Sequence, residues 1–354
     1  MDKLAIIAIT KNGIDIAKRI RAKFPSSQVF APSKLSTGDS SVTWFEEPTT
    51  AKVGDLFKSH EALVCIFSLG AVIRLVAPHM RDKKTDPAVV VIDDTAKFVI
   101  STLSGHLGGA NQLSEEIAGI IGATPIITTA ADVNKTIAVD LVGREFGWQI
   151  DDDSTVTKVS AFMVNEEKIG VFQDAGERDW WLPKRELPKN VHVYSDIEDM
   201  INSDCKGFLI ISDRAVKDGS VLGRAVIYRP KTLVVGVGLH WDTARDTIRE
   251  GLEFCLSRFG LSPKSVARFA SIKKEAQVAG LRELAEEMKV PVDYYEKQEL
   301  ANITIPNPSE VVQTFEGTPS VSEAAAIKSS GGTLVVEKQK FPPNLTIAIA
   351  RMTK

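Results

Sequence analysis

From Leu4 to Thr129 the chain alternates short apolar, β-branched runs with amphipathic stretches, and that alternation constrains the fold more than any other feature. Runs of four to eight apolar residues bounded by turn residues, separated by segments of helical period, are the pattern of βα units around a mostly parallel sheet. Leu4–Thr10 reads as a strand, and Ile14, Ala17, Ile20 and Phe24 follow at helical spacing. Ser27–Ala31 and Ala62–Phe67 read as further strands, and the segment Ala71–Val76 as a short helix stopped by Pro78. Ala88–Asp93 and Phe98–Leu103 flank Asp94-Thr95-Ala96-Lys97, which suits a hairpin. Ser104–Gly109 then turns into a helix reaching about Gly119, and Thr124–Thr129 reads as another buried strand.

The character changes near Ile137. A helix is expected over Ile137–Phe146, then Asp151-Asp152-Asp153, a second helix and the strand Ile169–Gln173. Asp174–Lys189, with Trp180-Trp181 and two prolines, reads as an irregular loop; Gly207–Ser212 and Ala225–Tyr228 read as strands, and Arg229-Pro230-Lys231 as a linker. Thr232–Gly238 is expected to be a strand entering a glycine turn, with helices near Asp242–Phe259, Lys274–Met288 and Val321–Ser330 and strands at Val292–Tyr295, Thr333–Glu337 and Leu345–Ala350. The expectation is a multi-domain α/β protein. It has mostly parallel sheets with flanking helices in an N-terminal domain, 1–134, and a C-terminal domain, 231–354, and a smaller α/β middle segment, 135–230.

Charge and cysteine usage narrow the function classes. A formal net charge of −3 argues against a broad nucleic-acid surface. Cys65, Cys205 and Cys255 lie far apart, with no CxxC pair and no Cys/His ligand spacing, so neither a zinc site nor an iron–sulfur cluster is expected. No apolar stretch approaches the ~20 residues needed to span a bilayer, and Met1-Asp2-Lys3-Leu4 lacks a basic n-region and apolar h-region. A cytoplasmic protein without membrane contact is expected, and a homo-oligomer is compatible with the sequence.

The segment most suited to chemistry is Ser104-Gly105-His106-Leu107-Gly108-Gly109-Ala110-Asn111, between a strand and a helix. Its glycines let backbone approach a ligand, and the first helical N–H groups form an anion site; equally, the glycines serve only a tight turn and close packing. His106 is either a general base or a structural donor closing the loop. Upstream, Arg74, His79, Arg81, Lys83 and Lys84 form a basic patch that suits a polycarboxylate or is a solvated loop. Asp93 orients a histidine, acts as a base or caps the hairpin turn. Thr128 and Thr129, with Asp132, line a polar pocket or cap the next helix. Gly236-Val237-Gly238 has two glycines of a dinucleotide fingerprint, but Trp241 stands where the third belongs, which excludes NAD binding by that motif. There His240 and Trp241 are candidates to line a pocket against a flat macrocycle, and Asp242 to cap a helix.

These residues carry a resemblance. Gly70-Ala71-Val72-Ile73-Arg74, Asp82–Val91, the Ser104–Asn111 loop and Ile127–Asp132 resemble the CbiG family of cobalt-precorrin-5A hydrolases, and so do Ile305–Glu310, Gly317–Ala326 and the final Leu345–Arg351 strand. Both ends of the chain match in the family's order. One departure stands out: Leu239-His240-Trp241-Asp242 occupies the place where family members carry a cysteine and basic residues, which excludes a cysteine nucleophile there.

The resemblance implies a reaction: hydrolysis of the ring-A acetate δ-lactone of a cobalt macrocycle, with the methylated two-carbon fragment leaving as acetaldehyde. The cobalt belongs to the substrate, so no cofactor or protein-bound metal is expected, and the partner is the cobalt-corrinoid intermediate. In that frame His106, Ser104 and Asp93 form the expected catalytic set. Gly105, Gly108, Gly109, Asn111, Arg74, Lys83, Thr128, Thr129 and His240 are the expected substrate-binding set. Two alternatives stay open: a corrinoid-binding or delivery protein without chemistry, and, ranked last, a phosphate-ligand enzyme, for which no Walker A lysine follows Gly108-Gly109.

Overall fold

The computed structural model describes residues 3–82, 84–181, 186–274, 278–308 and 320–353; Lys83 lies outside them. The chain forms two compact units, Met1–Leu141 and Val142–Lys354.

The first unit is a seven-stranded sheet. Its elements are β1 (Leu4–Ala8), α1 (Lys11–Arg21), β2 (Gln28–Pro32), β3 (Val42–Phe45), α2 (Thr49–Ser59), β4 (Ala62–Ile66), α3 (Leu69–Val76), β5 (Ala88–Ile92), β6 (Phe98–Leu103), α4 (Ala110–Ile121), β7 (Thr124–Ile126) and the single turn α5 (Ala130–Val133). Strand order is β3-β2-β1-β4-β5-β6-β7. Residues of β1, β4 and β5 are apolar throughout because both faces of the sheet are covered. Leu4, Ile6 and Ala8 pack with Ile14 and Ile20 of α1 and Leu113 and Ile117 of α4. Ala5 and Ile7 face the other way, onto Leu56 of α2 and Val72 of α3. Thr10 starts α1 by accepting a hydrogen bond from the Gly13 N–H at 2.9 Å, and Lys18, Arg19 and Arg21 favour its C-terminal end.

β1 to β5 run parallel, and the hairpin reverses direction: β6 is antiparallel to β5, pairing Leu103 with Val89 and Val99 with Ile92. β7 is parallel to β6. β7 is shorter and more open than the buried strand expected over Thr124–Thr129. It is an edge strand, Thr124 and Pro125 are exposed, and Pro125 has no N–H for a further neighbour.

The second unit holds two five-stranded sheets. One has the order β10-β9-β11-β12-β8, built from β8 (Gln149–Ile150), α6 (Val156–Val164), β9 (Ile169–Gln173), β10 (Val191–Tyr194), α7 (Ile197–Ile201), β11 (Gly207–Ile211), α8 (Gly219–Leu222) and β12 (Ala225–Arg229). The helix expected over Ile137–Phe146 is instead a run of turns ending in a 3-10 turn at Arg144–Phe146, bounded by Gly143 and Gly147 at positive φ. Gly143 is required there, since a Cβ would stand 1.9 Å from the Trp148 ring. Arg229 is no linker residue: it ends β12, is 2 % exposed, and pairs with Asp151 at 2.7 Å.

The other sheet, β15-β14-β13-β17-β16, is built from β13 (Leu233–Leu239), α9 (Arg245–Arg258), β14 (Val266–Ile272), α10 (Ala279–Met288), β15 (Val292–Tyr295), α11 (Lys297–Ala301), α12 (Val321–Ser330), β16 (Thr333–Phe341) and β17 (Leu345–Arg351). Gly236 and Gly238 lie within β13 and make no turn. α12 crosses so close to that strand that a Cβ on Gly236 would stand 1.9 Å from the Ser322 carbonyl oxygen. The residue before α9 is Ala244, and Asp242 binds the His240 Nδ1 instead of capping the helix. A buried seam ties the unit's two sheets. Asp213, fully buried, accepts from the Arg351 guanidinium at 2.5 and 2.7 Å and from the Thr232 hydroxyl at 2.8 Å.

Among the described residues, no helix is long and apolar enough to cross a membrane.

Candidate active site

The reversal at β6 decides which expected site residues share an end of the first sheet. Asp93 follows the carboxyl end of β5. The loop after β6 sits at the opposite end, because Leu103 pairs with Val89 near the start of β5. Asp93 is engaged by the hairpin turn: its carboxylate accepts from the N–H groups of Thr95, Lys97 and Phe98 and from the Thr95 hydroxyl. Burial pushes its carboxyl up, but these hydrogen bonds outweigh that and hold it below its ordinary value. In the structure Asp93 is thus engaged as a turn residue, at the opposite end of the sheet from the β6 loop. Arg74 folds back along α3, which follows β4, onto the Gly70 carbonyl at 2.9 Å.

The loop itself is shaped by its glycines. Ser104 has φ 55° and Gly109 φ 85°, and Gly109 immediately precedes α4. A Cβ on Gly105 would stand 2.6 Å from the Asn111 side-chain oxygen, and one on Gly108 would stand 2.4 Å from the Ser104 Cβ, so both positions admit close neighbours that any side chain would exclude. Ser104 donates its hydroxyl to the Asp86 carbonyl at 2.9 Å, anchoring the loop below β5. That bond commits the Ser104 hydroxyl proton to the backbone. The Gly109 N–H donates to the His106 carbonyl, which leaves Gly108 as the glycine of this pair with its N–H open to a ligand among the described residues.

His106 is held from both sides. Its Nε2 lies 2.9 Å from Asp132 Oδ2, and its Nδ1 lies 3.3 Å from Asp140 Oδ1. The hydrogen bond to Asp140 is the largest influence raising the imidazole pKa above 6.5; burial opposes it, and Asp132 adds to the rise. One carboxylate sits on each ring nitrogen, so the three side chains do not converge on a common point as metal ligands would. Asn111, 8 % exposed, braces the arrangement: its amide donates to Asp132 Oδ2 at 2.6 Å and to the Thr129 hydroxyl at 2.9 Å, while its oxygen accepts from Ser101. Both donors fall on Asp132 Oδ2, and Oδ1 accepts nothing among the described residues. Thr128, next to Thr129, is exposed.

The structure thus gathers His106, Asn111 and Thr129 from the expected set, adds Asp132, and leaves Asp93 and Arg74 elsewhere. Lys83 falls outside the described residues. His240 belongs to the second unit, where its Nδ1 bonds Asp242 at 2.7 Å.

Sequence profiles of cobalamin synthesis G proteins match three consecutive stretches of the chain: the N-terminal profile over residues 51–132, the central one over 137–230 and the C-terminal one over 233–350. A cobalt-precorrin-5A hydrolase of Priestia megaterium is 41 % identical over 98 % of this chain and 94 % of its own length. The chain belongs to the CbiG family. A second relative carrying the same name, from Salmonella typhimurium, is 30 % identical over 95 % of this chain and 94 % of its own. A solved cobalamin biosynthesis protein G homologue from Sulfolobus solfataricus is 23 % identical over 99 % of this chain and 98 % of its own, at a TM-score of 0.38, too low to carry a conclusion. Within this CbiG chain His106, Asn111 and Asp132 fall in the span of the N-terminal profile, whereas Asp140 falls in that of the central one. The sequence reading missed Asp140 because it lies in a stretch taken for a helix. The signal was present: a lone carboxylate in the apolar run Ile137-Ala138-Val139-Asp140-Leu141-Val142.

Proposed function

We propose that this CbiG-family chain hydrolyses the ring-A acetate δ-lactone of cobalt-precorrin-5A, releasing acetaldehyde and giving cobalt-precorrin-5B. Relatives of that name over nearly the full length support the substrate. The observation that carries the chemistry is the chain Asp132–His106–Asp140, a half-exposed carboxylate backed by a histidine that a second carboxylate holds.

The reaction asks for proton removal from water, proton delivery to the departing ring oxygen, and removal of the carbinol proton as the carbon–carbon bond breaks. Asp132 Oδ1 is the acceptor open to all three. It takes a proton from the attacking water, while His106 holds the carboxylate in place through the 2.9 Å bond to Oδ2. As the tetrahedral adduct collapses, the ester C–O bond breaks and its oxygen takes that proton. The carbinol O–H then loses its proton to the same pair, the bond to the methylated two-carbon fragment breaks, and its electron pair passes into the macrocycle. A positioned acid–base group of this kind contributes about 10²–10⁴-fold. The Gly108 N–H faces the developing oxyanion, a contact worth roughly 2.7–4 kcal/mol where one donor has been removed. His106 is thus the partner of the contacting carboxylate, a change from the base role expected of it.

The cobalt enters with the substrate, and no cofactor of the protein is invoked. The three free cysteines, all buried, suit a reducing cytoplasm. The test is anaerobic incubation with cobalt-precorrin-5A, trapping aldehyde and weighing the macrocycle. One acetaldehyde per macrocycle that gains water and loses the two-carbon fragment supports the proposal; an unchanged macrocycle refutes it.

A further inference from the structure

A second feature lies in the unit Val142–Lys354. A cavity of about 460 Å³ opens at the carboxyl end of β13, between Gly238, Leu239 and His240, the first residues of α12 and the turn joining β16 to β17. Three observations give it a polarity. Ser320, which lines it, is 1 % exposed, and its hydroxyl has no hydrogen-bond partner among the described residues. That residue starts α12 without capping it, so the first N–H groups of a ten-residue helix take no acceptor from the Ser320 side chain. Lys338 and Lys340 line the same cavity from β16. Burial lowers the Lys338 pKa, Glu323 raises it and Lys340 lowers it by less; the Lys338 ammonium donates to the Asn307 carbonyl, and Lys340 adds a second positive charge to the cavity wall. The Glu323 carboxylate is already engaged by the Asn307 N–H and amide and by the Lys338 N–H.

Most of the remaining wall is apolar, with Ile272, Val321, Phe341, Pro342 and Leu345 beside the polar Asn344 and Thr346, which suits hydrocarbon carrying a carboxylate better than a free inorganic anion. The residue after His240 is Trp241, 72 % exposed, a large flat apolar surface left open to solvent. We infer that this cavity seats a peripheral carboxylate of a corrin-type macrocycle, with Ser320, the start of α12 and Lys338 as its donors. The inference rests on the substrate class proposed above.

The test uses the full chain and calorimetric titration with cobyrinic acid, a corrin with free acetate and propionate groups, against its heptamethyl ester and inorganic phosphate. Two variants are compared, Ser320→Asp and Lys338→Met. The first places a carboxylate of the protein's own in the seat, and the melting temperature and circular dichroism of both variants are read first, so that lost binding is separated from lost folding. The acid is expected to bind and the ester not, with each variant weakening the acid about tenfold and phosphate failing to displace it. Equal binding of acid and ester, or both variants within about twofold of the unaltered chain, overturns the inference. Displacement by phosphate at matching concentration makes the seat an inorganic-anion site and overturns it as well. Acetaldehyde release by the unaltered chain is scored separately. Release with unchanged variant affinities removes the cavity's role and leaves the hydrolase; no release removes the hydrolase, while the affinities still decide the cavity.

Discussion

Nδ1 of His106 stands 3.3 Å from Oδ1 of Asp140, a carboxylate 34 positions further along the chain. The contact fixes the ring so that Nε2 addresses Asp132, and it stabilises the imidazolium. By NMR titration, the His106 ring should therefore turn over above 6.5, its ordinary value, and Asp140→Asn should bring the midpoint down. The sign for stability follows. A folded-state pKa raised above the unfolded value gives stabilisation that is fully present below about pH 6.5 and is lost as pH rises through the folded value. Denaturant midpoints measured across that window should show the loss in the unaltered chain and a weaker one in Asp140→Asn.

Asp93 separates the sequence reading from the structural one. Its carboxylate serves the β5–β6 turn, at the other end of the sheet from His106. Asp93→Ala should cost roughly 1 kcal/mol in urea unfolding, the scale of a lost local hydrogen-bonding group, while acetaldehyde release per folded molecule stays within about twofold. A hundredfold loss of turnover would return Asp93 to the active site.

The alternation of apolar runs made β1, β2, β4, β5, the hairpin and the helix after Gly109 legible, because burial on both faces writes itself into composition; β3, buried only at Val42 and Phe45, and α2 were not read. What the alternation could not show is strand direction. The sequence reading allowed Asp93 to orient a histidine; β6 runs backwards, which sets Asp93 and His106 at opposite ends of the sheet. Gly236-Val237-Gly238 failed differently. Glycine in a strand and glycine in a turn look alike in sequence, and only the position of α12 shows that these two exist for close packing. Asp140 went unnoticed because Ile137 and Val139 are buried at alternate positions of an irregular segment, which a helical reading absorbed.

Gly236 gives a direct check on that packing. A Cβ there would meet the Ser322 carbonyl oxygen at 1.9 Å and the Ala326 Cβ at 2.8 Å, neither of which is the end of a flexible side chain. Gly236→Ala should destabilise the chain by at least ~1–3 kcal/mol, the usual range for overpacking. Chemical denaturation read by tryptophan fluorescence measures it.

The Asp213–Arg351 pair should behave as a buried ion pair. Asp213 is fully enclosed, and the Arg351 side chain keeps only 24 % of its surface exposed. Arg351→Met leaves an uncompensated buried carboxylate with the Thr232 hydroxyl as its remaining side-chain donor, and should cost ~3 kcal/mol or somewhat more. Replacing both partners with apolar residues should recover part of that loss, which a double-mutant cycle reads directly.

The most direct test of the Asp132–His106–Asp140 chain is anaerobic acetaldehyde release from cobalt-precorrin-5A by Asp132→Asn beside the unaltered chain, with corrinoid affinity measured in parallel. Asn keeps the shape and removes the open acceptor at Oδ1. Turnover should fall by about 10²–10⁴-fold with affinity nearly unchanged. Turnover within a few-fold of the unaltered chain would contradict the assignment and place the proton transfers elsewhere in the molecule.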